Sequence, residues 1–112
     1  MIETMRPEEL ELEVIDFVKC VDELVSHDYK KNFKSLEIPK LEIKNNIKYY
    51  KLIQRGSVWG FISKINGDIK GSPIKVGDLL FPANWSTPAK HSRGNILNGT
   101  ASYGVYGPTY LK

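Results

Sequence analysis

At 112 residues, with 41% apolar and 26% charged content and a formal charge of +3, the chain fits one domain around one core. A domain of this length buries roughly two-thirds of the surface its unfolded chain exposes, so it needs no disulfide or metal staple. Its single cysteine, Cys20, closes no intrachain bridge, and no run approaches the roughly 18–20 apolar residues of a membrane span.

The opening Met-Ile-Glu-Thr-Met-Arg-Pro-Glu-Glu lacks a basic n-region and an apolar h-region, so no secretory signal is expected. Charge is unevenly spread. Residues 1–27 hold eight acids (Glu3, Glu8, Glu9, Glu11, Glu13, Asp16, Asp22, Glu23) against Arg6 and Lys19. Residues 28–112 hold 14 Lys and Arg against five acids (Asp28, Glu37, Glu42, Asp68, Asp78). A basic body behind an acidic segment points either to a polyanionic partner or to self-neutralisation, with that segment lying across the basic surface.

Residues 7–27 read as an amphipathic helix. Leu10, Val14, Phe17, Val21 and Leu24 recur at spacings of 4, 3, 4 and 3, and Val18 and Val25 widen the stripe. Thr4 can cap the start, Pro7 is tolerated in the first turn, and the glutamates suit the positive end of the helix dipole. Such a stripe also suits homo-oligomerisation through this helix. Roughly 20 residues are marginal without tertiary support, which favours packing on the chain's own sheet. Tyr29, Phe33 and Leu36 continue the helical spacing among Lys30, Lys31 and Lys34, as a second short helix or a continuation, and Pro39 ends it.

From Leu41 the period changes to two. Leu41-Glu42-Ile43 alternates, Asn45-Asn46 signals a turn, and Ile47 to Gln54 is strand-like. Ser57 to Ile65 follows, with Trp59, Phe61 and Ile65 expected on one face and Val58 and Ile62 on the other. Gly60 marks a bulge or the close approach of another backbone. Asn66-Gly67 predicts a type I′ hairpin, and Gly77-Asp78 turns the chain into Leu79-Leu80-Phe81. Beyond Pro82, Ser86 or Thr87 followed by Pro88 predicts a short helix over 88–93, stopped by Gly94. Asn98-Gly99 turns again into a final strand from Thr100 to Leu111 that spaces Tyr103, Tyr106 and Tyr110. The expected fold class is α+β: an N-terminal amphipathic helix on a small antiparallel sheet or partly open barrel.

Lysines interleaved with aromatics (Lys48, Lys51 and Lys64 beside Tyr49, Tyr50 and Trp59) suit single-stranded nucleic acid, because bases stack on the rings while cations follow the backbone. The same composition serves an ordinary half-buried sheet. Lys90 and Arg93, three apart on the expected helix, could grip successive phosphates, or complement the end of the helix dipole. His91 lies between them, and Trp85 is a stacking platform or a core plug. The candidate nucleic-acid-binding set is therefore Lys90, Arg93, His91, Trp85, Lys48, Lys51, Lys64 and Tyr50. Catalytic signatures are lacking: Gly-x-Ser-x-Gly, His-Glu-x-x-His, P-loop and Gly-x-Gly-x-x-Gly patterns do not occur. Two histidines and one cysteine scattered over the chain make no metal set, and no cofactor is expected.

Three blocks carry a resemblance: Ser57-Val58-Trp59-Gly60-Phe61-Ile62, Gly77-Asp78-Leu79, and Pro82-Ala83-x-Trp85-x-x-Pro88-Ala89-Lys90-x-x-Arg93-Gly94-Asn95-Ile96. Over about residues 47–97 the chain resembles small uncharacterised proteins of tailed phages and other DNA viruses. It departs from them in having Asn84 where Ser is usual and Ser86 where Lys is usual, which removes one positive charge. The resemblance implies a viral origin and a compact sheet-plus-helix module, and brings no activity with it. The expected function is a non-enzymatic accessory protein of the host cytoplasm, or of the virion, that binds nucleic acid. The alternative is a protein-interaction module, either a virion component or an inhibitor of a host protein.

Overall fold

The computed structural model describes residues 6–32, 37–105 and 107–109. Among the described residues one helix, α1 (Pro7–Asn32), precedes nine strands: β1 (Glu42–Asn45), β2 (Tyr49–Gln54), β3 (Ser57–Ser63), β4 (Gly67–Ile69), β5 (Ser72–Ile74), β6 (Asp78–Pro82), β7 (Pro88–Asn95), β8 (Tyr103–Gly104) and β9 (Gly107–Pro108). Five strands form one open antiparallel sheet in the order β1-β2-β3-β6-β7, while β4-β5 and β8-β9 are separate two-stranded ribbons. The α+β expectation holds.

α1 runs past residue 27 to Asn32, so Tyr29, Lys30 and Lys31 continue the first helix. Phe33, Lys34 and Leu36 lie outside the described residues, as does the expected Thr4 cap. The stripe buries Leu10, Val14, Phe17, Val18, Val21 and Val25 against Leu41, Tyr50, Leu52, Trp59, Ile62 and Leu79. Full burial of each such side chain is worth about 1.5–3 kcal/mol, which holds a helix that is marginal alone. Leu24, expected in the stripe, is half-exposed. The sheet occupies most of the stripe, and Leu12 joins Leu24 among the apolar side chains that α1 leaves exposed. The Asp22 carboxylate also accepts the Leu41 N–H at 3.0 Å, tying the helix to the start of β1.

The other face of the sheet carries Phe61 and Leu80, packed with Ile74, Tyr49, Val58 and Ile69. The expected division of β3 is overturned: Trp59 shares the helix-side core with Ile62, while Phe61 joins Val58 on the far side. The cause is a bulge. Leu52 pairs with Gly60 but Ile53 pairs with Val58, so Trp59 has no opposite number and the alternation slips by one residue. Gly60 is needed beside it, because a Cβ there would lie 2.9 Å from Pro108 Cγ and 3.3 Å from the Leu80 carbonyl oxygen.

Two further expectations fail. The tight hairpin turn is not at Asn66-Gly67; the Asn66 side chain instead accepts the Val76 N–H at 3.0 Å. Positive φ falls on Lys70-Gly71 (+49°, +86°), between β4 and β5, and on Arg55-Gly56 (+51°, +75°), between β2 and β3. The short helix over 88–93 is absent as well: those residues belong to β7, paired antiparallel with β6. Two turns lacking an apolar stripe have no tertiary support as a helix, whereas as a strand they complete the ladder of β6. Gly94 is therefore no helix stop. It sits inside β7 at φ +93°, where the backbone of Thr100 and Ala101 presses close.

The segment after β7 straps the sheet. Ser102 N–H donates to the Arg93 carbonyl at 2.7 Å, and the Trp59 indole N–H donates to the Val105 carbonyl at 3.2 Å. Tyr103 meets Phe17 and Trp59 edge-on, at 5.0 and 6.0 Å between centroids, locking helix, sheet and strap together. The expected final strand is thus two short strands, with Tyr106 and Tyr110 outside the described residues.

Candidate nucleic-acid interface

The loop from β6 to β7 is closed by Asn84, whose side-chain oxygen accepts the N–H groups of Ser86 and Thr87, both at 2.9 Å. Ala83 and Asn84 N–H groups return to the Thr87 carbonyl at 2.9 and 3.2 Å. The signals that resembled a helix cap thus build an Asx turn between two strands, flanked by prolines with no N–H to offer. This turn holds Trp85 at its tip, 50% exposed.

Beneath Trp85 lies Lys51 of β2, whose ammonium is 4.0 Å from the indole centroid. The residue as a whole is only 4% exposed. Among the described residues no carboxylate forms an ion pair with it. Its cross-strand neighbour is another cation, Lys44 of β1. Burial first, and the charge of Lys44 second, hold the Lys51 amine below the usual lysine pKa. The indole face offsets part of that cost, by about 0.5–2 kcal/mol. A half-exposed ring over a poorly compensated cation has the chemistry to stack a flat ring and attract an anion.

The candidate residues do not form one surface, because neighbours along a strand face opposite ways. Lys51 and Trp85 come together on the face turned away from α1. Tyr50 points into the helix-side core, 2% exposed, where burial and then the charge of Glu11 raise its pKa. Lys64 lies 4.9 Å over the Tyr50 ring and donates to the Asn46 carbonyl at 2.8 Å and to the Asn45 side chain. Lys48 is exposed at the β1–β2 turn. Lys90 and His91 are exposed on β7, where the His91 ring lies 3.3 Å from the Ser72 hydroxyl. Arg93 is buried: it donates to the carbonyls of Thr109, at 2.8 Å, and His91, and lies 5.4 Å over the Phe81 ring. It holds the strap, so Lys90 and Arg93 are no phosphate-gripping pair. Lys44, absent from the expected set, enters through strand register, which residue spacing does not reveal.

Nor does the acidic helix neutralise this site. Among the described residues the ion pair present is Arg6–Glu9, at 3.9 Å and exposed, within the start of the helix. A depression of about 390 Å³ beside α1, lined by Asp22, Glu23, Ser26, His27 and Lys30, is wide open. No group of three or more His, Cys, Asp or Glu among the described residues could hold a metal ion. No described helix is long and apolar enough to cross a membrane. No protein-family model, curated protein or solved structure matches the chain.

Proposed function

We propose that the chain is a small non-enzymatic accessory protein of viral type that binds single-stranded nucleic acid on the sheet face opposite α1. The observation that carries the proposal is the half-exposed Trp85 indole seated over Lys51, with Lys44 beside it. A base stacks on the outer face of the indole while Lys51 and Lys44 draw the adjoining phosphates. The resemblance over residues 47–97 supports the viral setting, since it includes Trp85 and the flanking Pro82 and Pro88, while departing at Asn84 and Ser86.

Fluorescence anisotropy with labelled single- and double-stranded oligonucleotides tests this. Affinity for the single strand should fall linearly in log–log form with added salt, as counterions return to the phosphates. Trp85→Ala should weaken it by about 5- to 150-fold, the worth of one base stack. Absent binding to both forms at low salt, or full affinity without the indole, refutes the proposal. A protein-interaction role is favoured by one separate observation, the edge of β1, outside which no strand lies among the described residues.

A further inference from the structure

The five-stranded sheet has two edges that are treated differently. Outside β7, the strap supplies partners: Ser102 N–H reaches the Arg93 carbonyl at 2.7 Å, Thr100 N–H reaches the Asn95 carbonyl at 3.1 Å, and Asn95 N–H reaches the Thr100 hydroxyl at 2.9 Å. Among the described residues no strand or ribbon lies outside β1, and the Leu41 N–H just before it goes to the Asp22 carboxylate at 3.0 Å. All four residues of β1 are exposed.

The phase of the ladder shows which backbone groups that edge presents. Asn46 N–H donates to the Tyr49 carbonyl at 3.0 Å, so residues 46 and 49 are a hydrogen-bonded pair. Along the register Glu42↔Ile53, Ile43↔Leu52, Lys44↔Lys51, Asn45↔Tyr50, bonding alternates. Glu42 and Lys44 therefore bond inward to β2, while Ile43 and Asn45 turn their N–H and C=O groups outward.

We propose that a second copy of this chain occupies this edge, pairing β1 antiparallel with β1 about a two-fold axis at Ile43. The sequence is self-complementary about that residue. Ile43 faces Ile43 of the other copy and exchanges both backbone bonds, and Asn45 N–H reaches the Leu41 carbonyl opposite. Glu42 of each copy then stands directly across from Lys44 of the other, on the same face. In the single chain Lys44 has a like charge, Lys51, as its cross-strand neighbour, an unfavourable arrangement. The second copy supplies the missing carboxylate. One-residue slips in either direction lose the Glu42–Lys44 match and turn inward-bonded groups toward the joint, so charge and hydrogen-bond phase select one register. The joined sheet has ten strands, with both Trp85–Lys51 sites on one side. This pairing shares Lys44 with the proposed nucleic-acid site, and its test needs no nucleic acid.

Sedimentation analysis of the full chain from about 10 μM to about 1 mM tests the proposal. The mass should rise from 12.7 kDa toward twice that value. Lys44→Glu sets carboxylate against carboxylate and Glu42→Lys sets ammonium against ammonium, and each should move association to at least tenfold higher concentration. The double variant carrying both changes restores opposite charges and should recover association, which a merely misfolded single variant could not explain. Ile43→Pro removes an outward donor without touching the ladder to β2, and should leave a folded monomer by circular dichroism. A wild-type chain that stays monomeric to about 1 mM overturns the proposal. So does a dimer indifferent to the charge changes, or a double variant that fails to recover.

Discussion

Replacing Gly94 by alanine is the sharpest single test of how the strap is seated. The residue lies within β7 at φ +93°, and an added Cβ would drive into the Thr100 carbonyl oxygen, with the Thr100 carbonyl carbon at 2.5 Å and Ala101 Cα at 2.8 Å. All three are backbone atoms, so no side chain can swing aside. The left-handed conformation alone costs a Cβ-bearing residue about 1–3 kcal/mol. If the strap backs away, the bonds Ser102 N–H to Arg93, Thr100 N–H to Asn95 and Asn95 N–H to the Thr100 hydroxyl are lost. At about 1 kcal/mol each, the total reaches about 4–6 kcal/mol. A domain of this size holds about 5–15 kcal/mol in all, so the variant should sit near the edge of folding. Urea unfolding gives the magnitude, and amide exchange at Ser102 and Asn95 gives the location. A loss below about 1 kcal/mol with both amides still protected would show that the close approach is not what seats the strap.

The core, the β4–β5 turn and the buried amine give three further expectations. Leu79→Ala, at a fully buried position between sheet and helix, should cost about 2–5 kcal/mol, whereas Leu12→Ala, 64% exposed on α1, should stay within about 0.5 kcal/mol in the same urea assay. Lys70→Asn should stabilise by about 0.5–1 kcal/mol, because asparagine tolerates the positive φ at the first turn position better than lysine does. Because the folded state holds the Lys51 proton more weakly than the unfolded chain, its penalty is full below the folded pKa and fades as pH climbs toward the ordinary 10.5. Wild type should therefore gain on Lys51→Met in urea midpoints as pH climbs toward 10.5, and a constant gap would refute this. Burial raises the pKa of Tyr49, Tyr50 and Tyr103, which acts oppositely: above pH 10.0 the unfolded chain sheds protons that the folded chain keeps, and stability falls in both variants.

The helix and most strands were readable because a stripe at 3.6-residue spacing and alternation at two-residue spacing each answer to one buried surface. Three features were not. The bulge at Trp59 depends on register with β2, and one unpaired residue there reassigns both tryptophan and phenylalanine to new faces. The Ser-Thr-Pro sequence before residue 89 satisfies helix-start chemistry and loop-closing chemistry equally, and only the need of β6 for a partner decides between them. Tyr50 and Lys51 are adjacent in sequence yet lie on opposite sides of a sheet, so proximity along the chain groups together what the pleat separates. The Trp85–Lys51 contact joins residues 34 apart, and no local pattern announces it.

The two indoles report on different halves of the molecule. Trp59 is 2% exposed and bonded to a carbonyl, and Trp85 is half in water. Their emission should be a sum of a blue component and a red one, with only the red one reachable by iodide. Detachment of α1 would shift the blue component and spare the other, while a ligand stacked on the loop would quench the red one first. The native chain thus carries an inner and an outer dye without any label.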